Sequence, residues 1–260
     1  MEFVDQLNRT IFITKIPSRI VSLVPSQTEL LVDLGLRNNI VGITKFCIHP
    51  ANLKNEKTIV GGTKKVNYNK IISLNPDFIL CNKEENTEAM VLQLEKIAPV
   101  WISDIKTIPE SLLMIKQLGE IFMVTHKASE IISNIELELT ELLKIVRNTR
   151  RRKVLYLIWK DPYMAAGKDT FIDALLQINN FKNVIYSKVS RYPEIGNKVF
   201  EKADLILLST EPYPFNKKDV LKMNDEFEAE IRLVDGEFFS WYGSRLIKSI
   251  NYFKTLHTTE

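Results

Sequence analysis

The sequence predicts an α/β protein of two lobes, each a parallel sheet flanked by helices, joined by one long rigid α-helix. Three observations carry this expectation. Short apolar runs alternate with amphipathic stretches through the first half of the chain, a pattern of β-α-β units with the sheet covered on both faces. A helix-period pattern without Gly or Pro then runs from Thr125 to Asn148. After it, the alternation of strands and helices restarts. The expected division is an N-terminal lobe over 1–124, the connecting helix over 125–149 and a C-terminal lobe over 150–260.

Taken in order, Ile20–Val24 is a buried strand, and Ser26-Gln-Thr-Glu29 opens the next helix as a capping box, serine and glutamate satisfying each other's free backbone donors. Ile40–Ile43, Phe78–Cys81 and Val100–Ile102 are further strands, with helices over Tyr68–Leu74, Thr87–Ile97 and Glu110–Phe122. In the long helix Ile131, Ile135, Leu139, Leu142 and Val146 recur at three- and four-residue steps. At a rise of about 1.5 Å per residue, roughly 22 residues span more than about 30 Å, the width of a small domain. Such a helix either packs on one sheet or joins two lobes. Val154–Trp159, Leu205–Leu208 and Ile231–Val234 are the later strands, and Thr170–Ile178 and Ser244–Leu256 the later helices.

Composition narrows the function classes. A hydrophobic content of 45% with 26% charged residues is that of a globular chain with a full core. The formal charge of +3, spread over scattered lysines, argues against a nucleic-acid partner. The dense basic run Arg150–Lys153 is read as a solvated helix end. Two cysteines, Cys47 and Cys81, make no disulfide framework and are read as reduced buried hydrophobes. The opening residues carry acids where a secretory leader needs bases, so the expectation is a cytoplasmic location, or a periplasmic one if the natural chain is longer. No segment is apolar enough to insert in a membrane, and a monomer is expected.

Catalytic signatures are missing. There is no glycine-rich dinucleotide fingerprint, Gly61-Gly-Thr-Lys-Lys lacks the spacing of a phosphate loop, and no G-x-S-x-G elbow follows a strand. Of three histidines, His126 and His257 fall in the long helix and the tail, where solvent is the simplest surrounding.

In open α/β sheets ligands bind beyond the carboxyl ends of the strands, and the unusual residues cluster there. Lys45-Phe46-Cys47-Ile48-His49-Pro50 follows one strand. Cys47 and His49 either share a soft metal or metal chelate, or form a buried thiol beside a proline-fixed loop. Glu84 and Glu85 in the next such loop are either helix-capping acids or ligand contacts. Trp159, closing its strand before Lys160-Asp-Pro-Tyr-Met164, is either core or binding wall. Arg191-Tyr192 and Glu211-Pro-Tyr213 combine charge and aromatics on proline-stiffened loops. Asp235-Gly-Glu-Phe-Phe-Ser-Trp-Tyr-Gly-Ser-Arg245 carries four aromatics and an arginine, more than a plain loop needs. From it Glu237, Phe239, Trp241 and Arg245 join the candidate ligand contacts, as does Ser26 after the first strand. A flat, partly apolar ligand gripped between the lobes suits this set.

These residues also carry a resemblance. Pro17-Ser-Arg-Ile-Val-Ser-Leu-Val-Pro-Ser-Gln-Thr-Glu-Leu, then Val60-Gly-Gly-Thr and Ile71-Ile-Ser-Leu-Asn-Pro-Asp-Phe-Ile-Leu, resemble the helical-backbone metal receptors, the periplasmic substrate-binding proteins of ABC importers for cobalamin, haem and iron-siderophores. Ala166-Gly-Lys-Asp-Thr and Ala203-Asp-Leu-Ile-Leu resemble the family's second lobe. The resemblance implies the class III periplasmic-binding-protein fold of two Rossmann-like lobes, a non-enzymatic binding function and no intrinsic cofactor. The cobalamin binders are most similar. By that resemblance Phe46 and Met164 are wall positions and Glu237 the acid, while Trp241 stands where those proteins have an arginine and Thr63 where they have a tryptophan. The importer family docks on its permease through an acid on each lobe; here one position is Asn69, and Glu194 is the acid nearest the other. Two alternatives stand beside an importer component: a cytosolic corrinoid or tetrapyrrole carrier or sensor, and a metal-dependent enzyme using Cys47 and His49.

Overall fold

A computed structural model describes residues 1–186 and 190–258. The chain divides into two units. The first comprises Met1–Ile105, Pro109–Asn134 and Tyr242–Arg245; the second comprises Lys106–Ile108, Ile135–Trp241 and the chain from Leu246. The division runs through the long helix, within the 125–149 span, and a short segment near the C-terminus returns to the first unit.

The first unit opens with a hairpin of β1 (Glu2–Val4) and β2 (Thr10–Phe12), which the sequence reading missed because three-residue strands leave little periodicity. Asp5, buried in the turn between them, accepts from the amides of Leu7, Arg9 and Ile102 and so ties the hairpin to the main sheet. That sheet is formed by β3 (Ile20–Ser22), β4 (Ile40–Thr44), β5 (Thr58–Gly61), β6 (Phe78–Asn82) and β7 (Val100–Ser103). All pairings are parallel, in the order β5-β4-β3-β6-β7. Both faces are covered, which is why the strands read as continuous apolar runs rather than alternating ones. Val21, Leu23, Ile79, Cys81, Val100 and Ile102 point to one face with Met90, Val91 and Leu94 against them. On the other, Phe78 meets Phe122 edge-on at 5.4 Å between ring centroids.

The helices of this unit are α1 (Pro25–Asp33), α2 (Leu53–Glu56), α3 (Tyr68–Ser73), α4 (Glu88–Leu94), α5 (Ile108–Ile121) and the start of α6 (Thr125–Val146). Thr87 caps α4 by accepting from the Met90 amide, and Asn67 caps α3 through Lys70. The expected capping box at Ser26–Glu29 is absent. The helix starts at Pro25, whose ring presets the helical φ, and Val24 is the residue at the cap. Ser26 and Glu29 are instead buried within the first two turns.

The second unit has β8 (Arg152–Trp159), β9 (Met164–Ala165), β10 (Phe181–Asn183), β11 (Leu205–Ser209) and β12 (Glu230–Val234). Its order is β10-β8-β11-β12, parallel throughout, with β9 antiparallel on the end of β8. Around it lie α7 (Phe171–Ile178), α8 (Lys217–Glu226), α9 (Gly236–Ser240) and α10 (Leu246–Thr258). Leu155, Leu157, Ile206, Leu208 and Ile231 pack on Phe200, Phe215 and Met223. Tyr156, Phe239 and Phe253 form a chain of rings 5.1 and 4.7 Å apart. A true capping box opens α8, where Asn216 and Asp219 exchange side-chain and backbone bonds. In the basic run, Arg152 begins β8 and donates to Glu230 at 2.6 Å. His257, read as a solvent-facing tail residue, is half-buried, 3.0 Å from the Asn179 side-chain oxygen and packed on Phe181. Among the described residues no helix is long and apolar enough to cross a membrane.

Candidate functional site

Each sheet reverses its order of winding once. In the first unit this happens between β3 and β6, in the second between β8 and β11. The loops leaving neighbouring strands there diverge to opposite faces, which opens a crevice at their carboxyl ends.

At these strand ends in the first unit lies a buried polar cluster that the sequence does not signal. Asn82 Nδ2 donates to the Tyr242 hydroxyl at 2.9 Å and to Ser103 Oγ at 3.0 Å. Gln27 Nε2 donates to the same hydroxyl at 3.2 Å. Burial pushes the Tyr242 phenol well above its ordinary range, so it stays neutral and works as a hydrogen-bond donor and acceptor. Beside this cluster, Arg245 holds Glu29 through two bonds of 2.7 and 3.0 Å, each side chain only 5% exposed. Arg245 is thus a buried structural cation that anchors the Tyr242–Arg245 segment to α1. Its assignment as a ligand contact is corrected, because the guanidinium faces the carboxylate and not the surface. Ser26, also buried, bonds the Tyr242 phenol and belongs to the same framework.

The loop after β4 splits by side-chain direction. Phe46 is 49% exposed, with the Lys45 ammonium 5.0 Å over its ring. Cys47 turns inward, fully buried, its sulfur 3.1 Å from Thr28 Oγ1 and 3.2 Å from Thr44 Oγ1. Burial raises this thiol, and hydrogen bonds from the two threonines pull it only partly back. His49 is half-buried on the same loop. Of the two readings of this loop, Cys47 is thus the buried thiol beside a proline-fixed loop, held neutral by its surroundings, rather than a metal ligand shared with His49. Among the described residues no three His, Cys, Asp or Glu side chains are grouped to hold a metal ion. Glu84 is exposed in the turn before α4, its amide bonded to Asn82 Oδ1 at 2.8 Å. The helix cap is Thr87, so Glu84 and Glu85 lie outside the helix and do not cap it.

The second unit brings more of the candidates together. Trp159, the last residue of β8, is 40% exposed and meets Tyr213 edge-on at 5.7 Å. Met164 on β9 stands opposite Trp159 in register and bridges to Glu194. The segment carrying Arg191 and Tyr192 runs beside β9, its carbonyls accepting from Ala165 and Gly167. Arg191 and Tyr192 are both half-buried there. Trp159, Met164, Tyr213 and the Arg191–Glu194 segment therefore surround one end of β8.

Glu211, on the loop after β11, serves the neighbouring segment. Its Oε1 accepts from Ser240 Oγ at 2.8 Å and from the Trp241 indole at 3.0 Å. Burial raises the Glu211 carboxyl, nearby Glu237 adds to the rise, and the two donors oppose it. Trp241 keeps only 9% of its surface exposed, its indole tethered by that bond. Phe239 is fully buried between Tyr156 and Phe253; as a ligand contact it is corrected to core. Glu237 lies half-buried in the first turn of α9.

Comparison with known proteins gives this arrangement a family. The periplasmic binding protein family matches residues 20–230. The ABC transporter substrate-binding lipoprotein YvrC of Bacillus subtilis, named as uncharacterized, is 29% identical over 187 residues, covering 69% of this chain and 59% of its own length. Two solved structures share the fold. The periplasmic vitamin B12 binding protein BtuF of Vibrio cholerae superimposes with a TM-score of 0.81 at 17% identity, covering 94% of this chain and 99% of that one. A periplasmic haem-binding protein from Pseudomonas aeruginosa gives 0.81 at 19%, covering 93% and 92%. Family members bind substrate without transforming it, and the reading of the chain as non-enzymatic holds. With most of its length matched and both sheets in place, the chain belongs to the periplasmic binding protein family.

Proposed function

We propose that the chain is the substrate-binding component of an ABC importer and that its ligand is a metal chelate with a broad apolar body. The observation that carries this reading is the exposed Trp159, flanked by half-buried Tyr213 and Met164, at the winding reversal of the second sheet. A half-exposed tryptophan at a strand end costs hydration free energy unless a partner covers it. Aromatic surfaces with a few polar anchors are the usual lining of small-molecule sites. The names of the similar proteins supply the ligand class: vitamin B12 for one solved structure and haem for another. The permease partner rests on the name of the Bacillus subtilis relative. The names of these relatives support a role outside the cytoplasmic membrane, and fractionation of the native cell tests it against the cytosolic expectation.

The binding reading is tested by titrating the purified chain with cyanocobalamin and with haemin while following tryptophan emission and the visible spectrum. One of them should saturate at one equivalent with a Kd below about 10 µM, close to −7 kcal/mol. Linear, non-saturating response to both contradicts the proposal.

A further inference from the structure

The first unit holds an open cavity of about 600 Å3 beside the carboxyl ends of β4 and β5. That is within the range of about 300–1,000 Å3 typical of small-molecule sites. Among the described residues, four lysines line it, Lys45, Lys64, Lys65 and Lys70, and no carboxylate does. Phe46 and Ile59, both partly exposed, supply apolar wall between them.

The rim is built rather than loose. After β5 the chain reverses so tightly that a Cβ on Gly61, at φ +142°, would lie 2.5 Å from the Lys65 carbonyl oxygen. Gly62 donates its amide to that same carbonyl at 2.8 Å, and Gly61 bridges to Val66. Asn86 Nδ2 pins the turn by donating to the Thr63 carbonyl at 2.8 Å, and the Lys64 ammonium donates to the Glu84 carbonyl. A Cβ on Gly62 would come within 3.3 Å of Phe46, so the ring lies directly against the turn.

Ammonium groups sharing one concavity repel each other, and their stems add apolar surface to the wall. A ligand that relieves the repulsion carries ionised oxygens, and one that covers Phe46 has an apolar body. From this we infer that the lysine cavity of the first unit binds a metal chelate by its anionic arms, with the apolar body on Phe46, selecting a chelate with ionised carboxylate or catecholate oxygens over an amide-fringed corrinoid. The inference rests on the chelate-binding reading above and narrows its substrate class.

The test uses three probes on the full chain: haemin, iron(III) tris(2,3-dihydroxybenzoate) and cyanocobalamin. Each is titrated against the parent, a Lys45→Gln/Lys65→Gln/Lys70→Gln variant and the matching triple arginine variant. Haemin or the catecholate should bind at least tenfold more tightly than cyanocobalamin. The glutamine variant should lose at least tenfold for that anionic probe, and the arginine variant should keep its affinity. Raising ionic strength from about 0.01 to 0.15 M should weaken the parent and leave the glutamine variant little changed. Lysine dependence seen with haemin alone names a carboxylated tetrapyrrole, and with the catecholate alone a siderophore. Cyanocobalamin binding as tightly as the anionic probes, or a folded glutamine variant with parental affinity for them, overturns the inference and leaves chelate binding standing. Saturable binding of none of the three overturns both.

Discussion

Replacing Arg245 by Met strands the Glu29 carboxylate where both partners are almost wholly shielded from water. The pair is bidentate, at 2.7 and 3.0 Å, so the carboxylate loses two charge-assisted bonds at once. Removing one partner of a buried ion pair costs about 3–5 kcal/mol, most of it the desolvation of the charge left behind. With a urea m-value of about 2 kcal/mol/M, the unfolding midpoint should fall by roughly 1.5–2.5 M. Trp101 is fully buried in β7 of the same unit, which makes it the reporter. In a Trp159→Phe/Trp241→Phe background its emission follows that unit alone. The double variant Glu29→Met/Arg245→Met should recover most of the loss, since apolar replacement of both partners is close to neutral. At urea concentrations where Arg245→Met stays folded, it should bind the chelate with parental affinity. A midpoint shift below about 0.5 M, or lost affinity with stability intact, would refute the structural role and return Arg245 to the binding surface.

Three further outcomes follow from local geometry. Because burial raises the Glu211 carboxyl, the folded state keeps a proton that the unfolded chain has released between the ordinary and the raised value. Stability therefore falls as pH rises through that interval. Glu211→Gln should abolish this slope while still accepting from Trp241; identical slopes in parent and variant would contradict it. Burial also raises both thiols, so Cys47 and Cys81 should resist a disulfide reagent for hours in the native protein. Both should react on unfolding in guanidinium, and rapid native labelling would show that Cys47 is open to solvent. Gly236→Ala places a Cβ in clash with Ser209 Oγ and 2.9 Å from the Glu211 amide nitrogen. Thermal unfolding of the second unit should show a loss of about 1–3 kcal/mol from overpacking, and an unchanged transition would mean the loop after β11 moves freely.

Much of the architecture was legible because buried parallel strands and amphipathic helices write their periodicity directly into the chain. Ile20, Phe78 and Leu205 each start a short apolar run that became a central strand. The polar helix α8 and the short strands β5, β9 and β10 carried too few apolar residues to signal themselves. The candidate site was legible only as loops. Phe46 and Cys47 are adjacent, yet one faces solvent and the other the core, and that direction depends on Thr28 from a different element. Glu29 and Arg245 lie 216 residues apart, so each looked like something local, a helix cap and a ligand contact. Glu211 was found as a charged residue at a strand end, but its bonds to Ser240 and Trp241 make it a brace for the neighbouring wall.

The aromatic group at the end of β8 is tested most directly by the affinity of Trp159→Ala for whichever chelate the parent binds. Trp159 presents an exposed face flanked by Tyr213 and Met164, and an anchoring aromatic is worth about 2 kcal/mol, or roughly thirtyfold in Kd. Trp101→Phe, buried in the other unit, is the control and should leave affinity within about twofold of the parent. A thirtyfold loss confined to Trp159→Ala is the outcome expected of a chelate resting on that wall. A folded Trp159→Ala variant binding as tightly as the parent contradicts it.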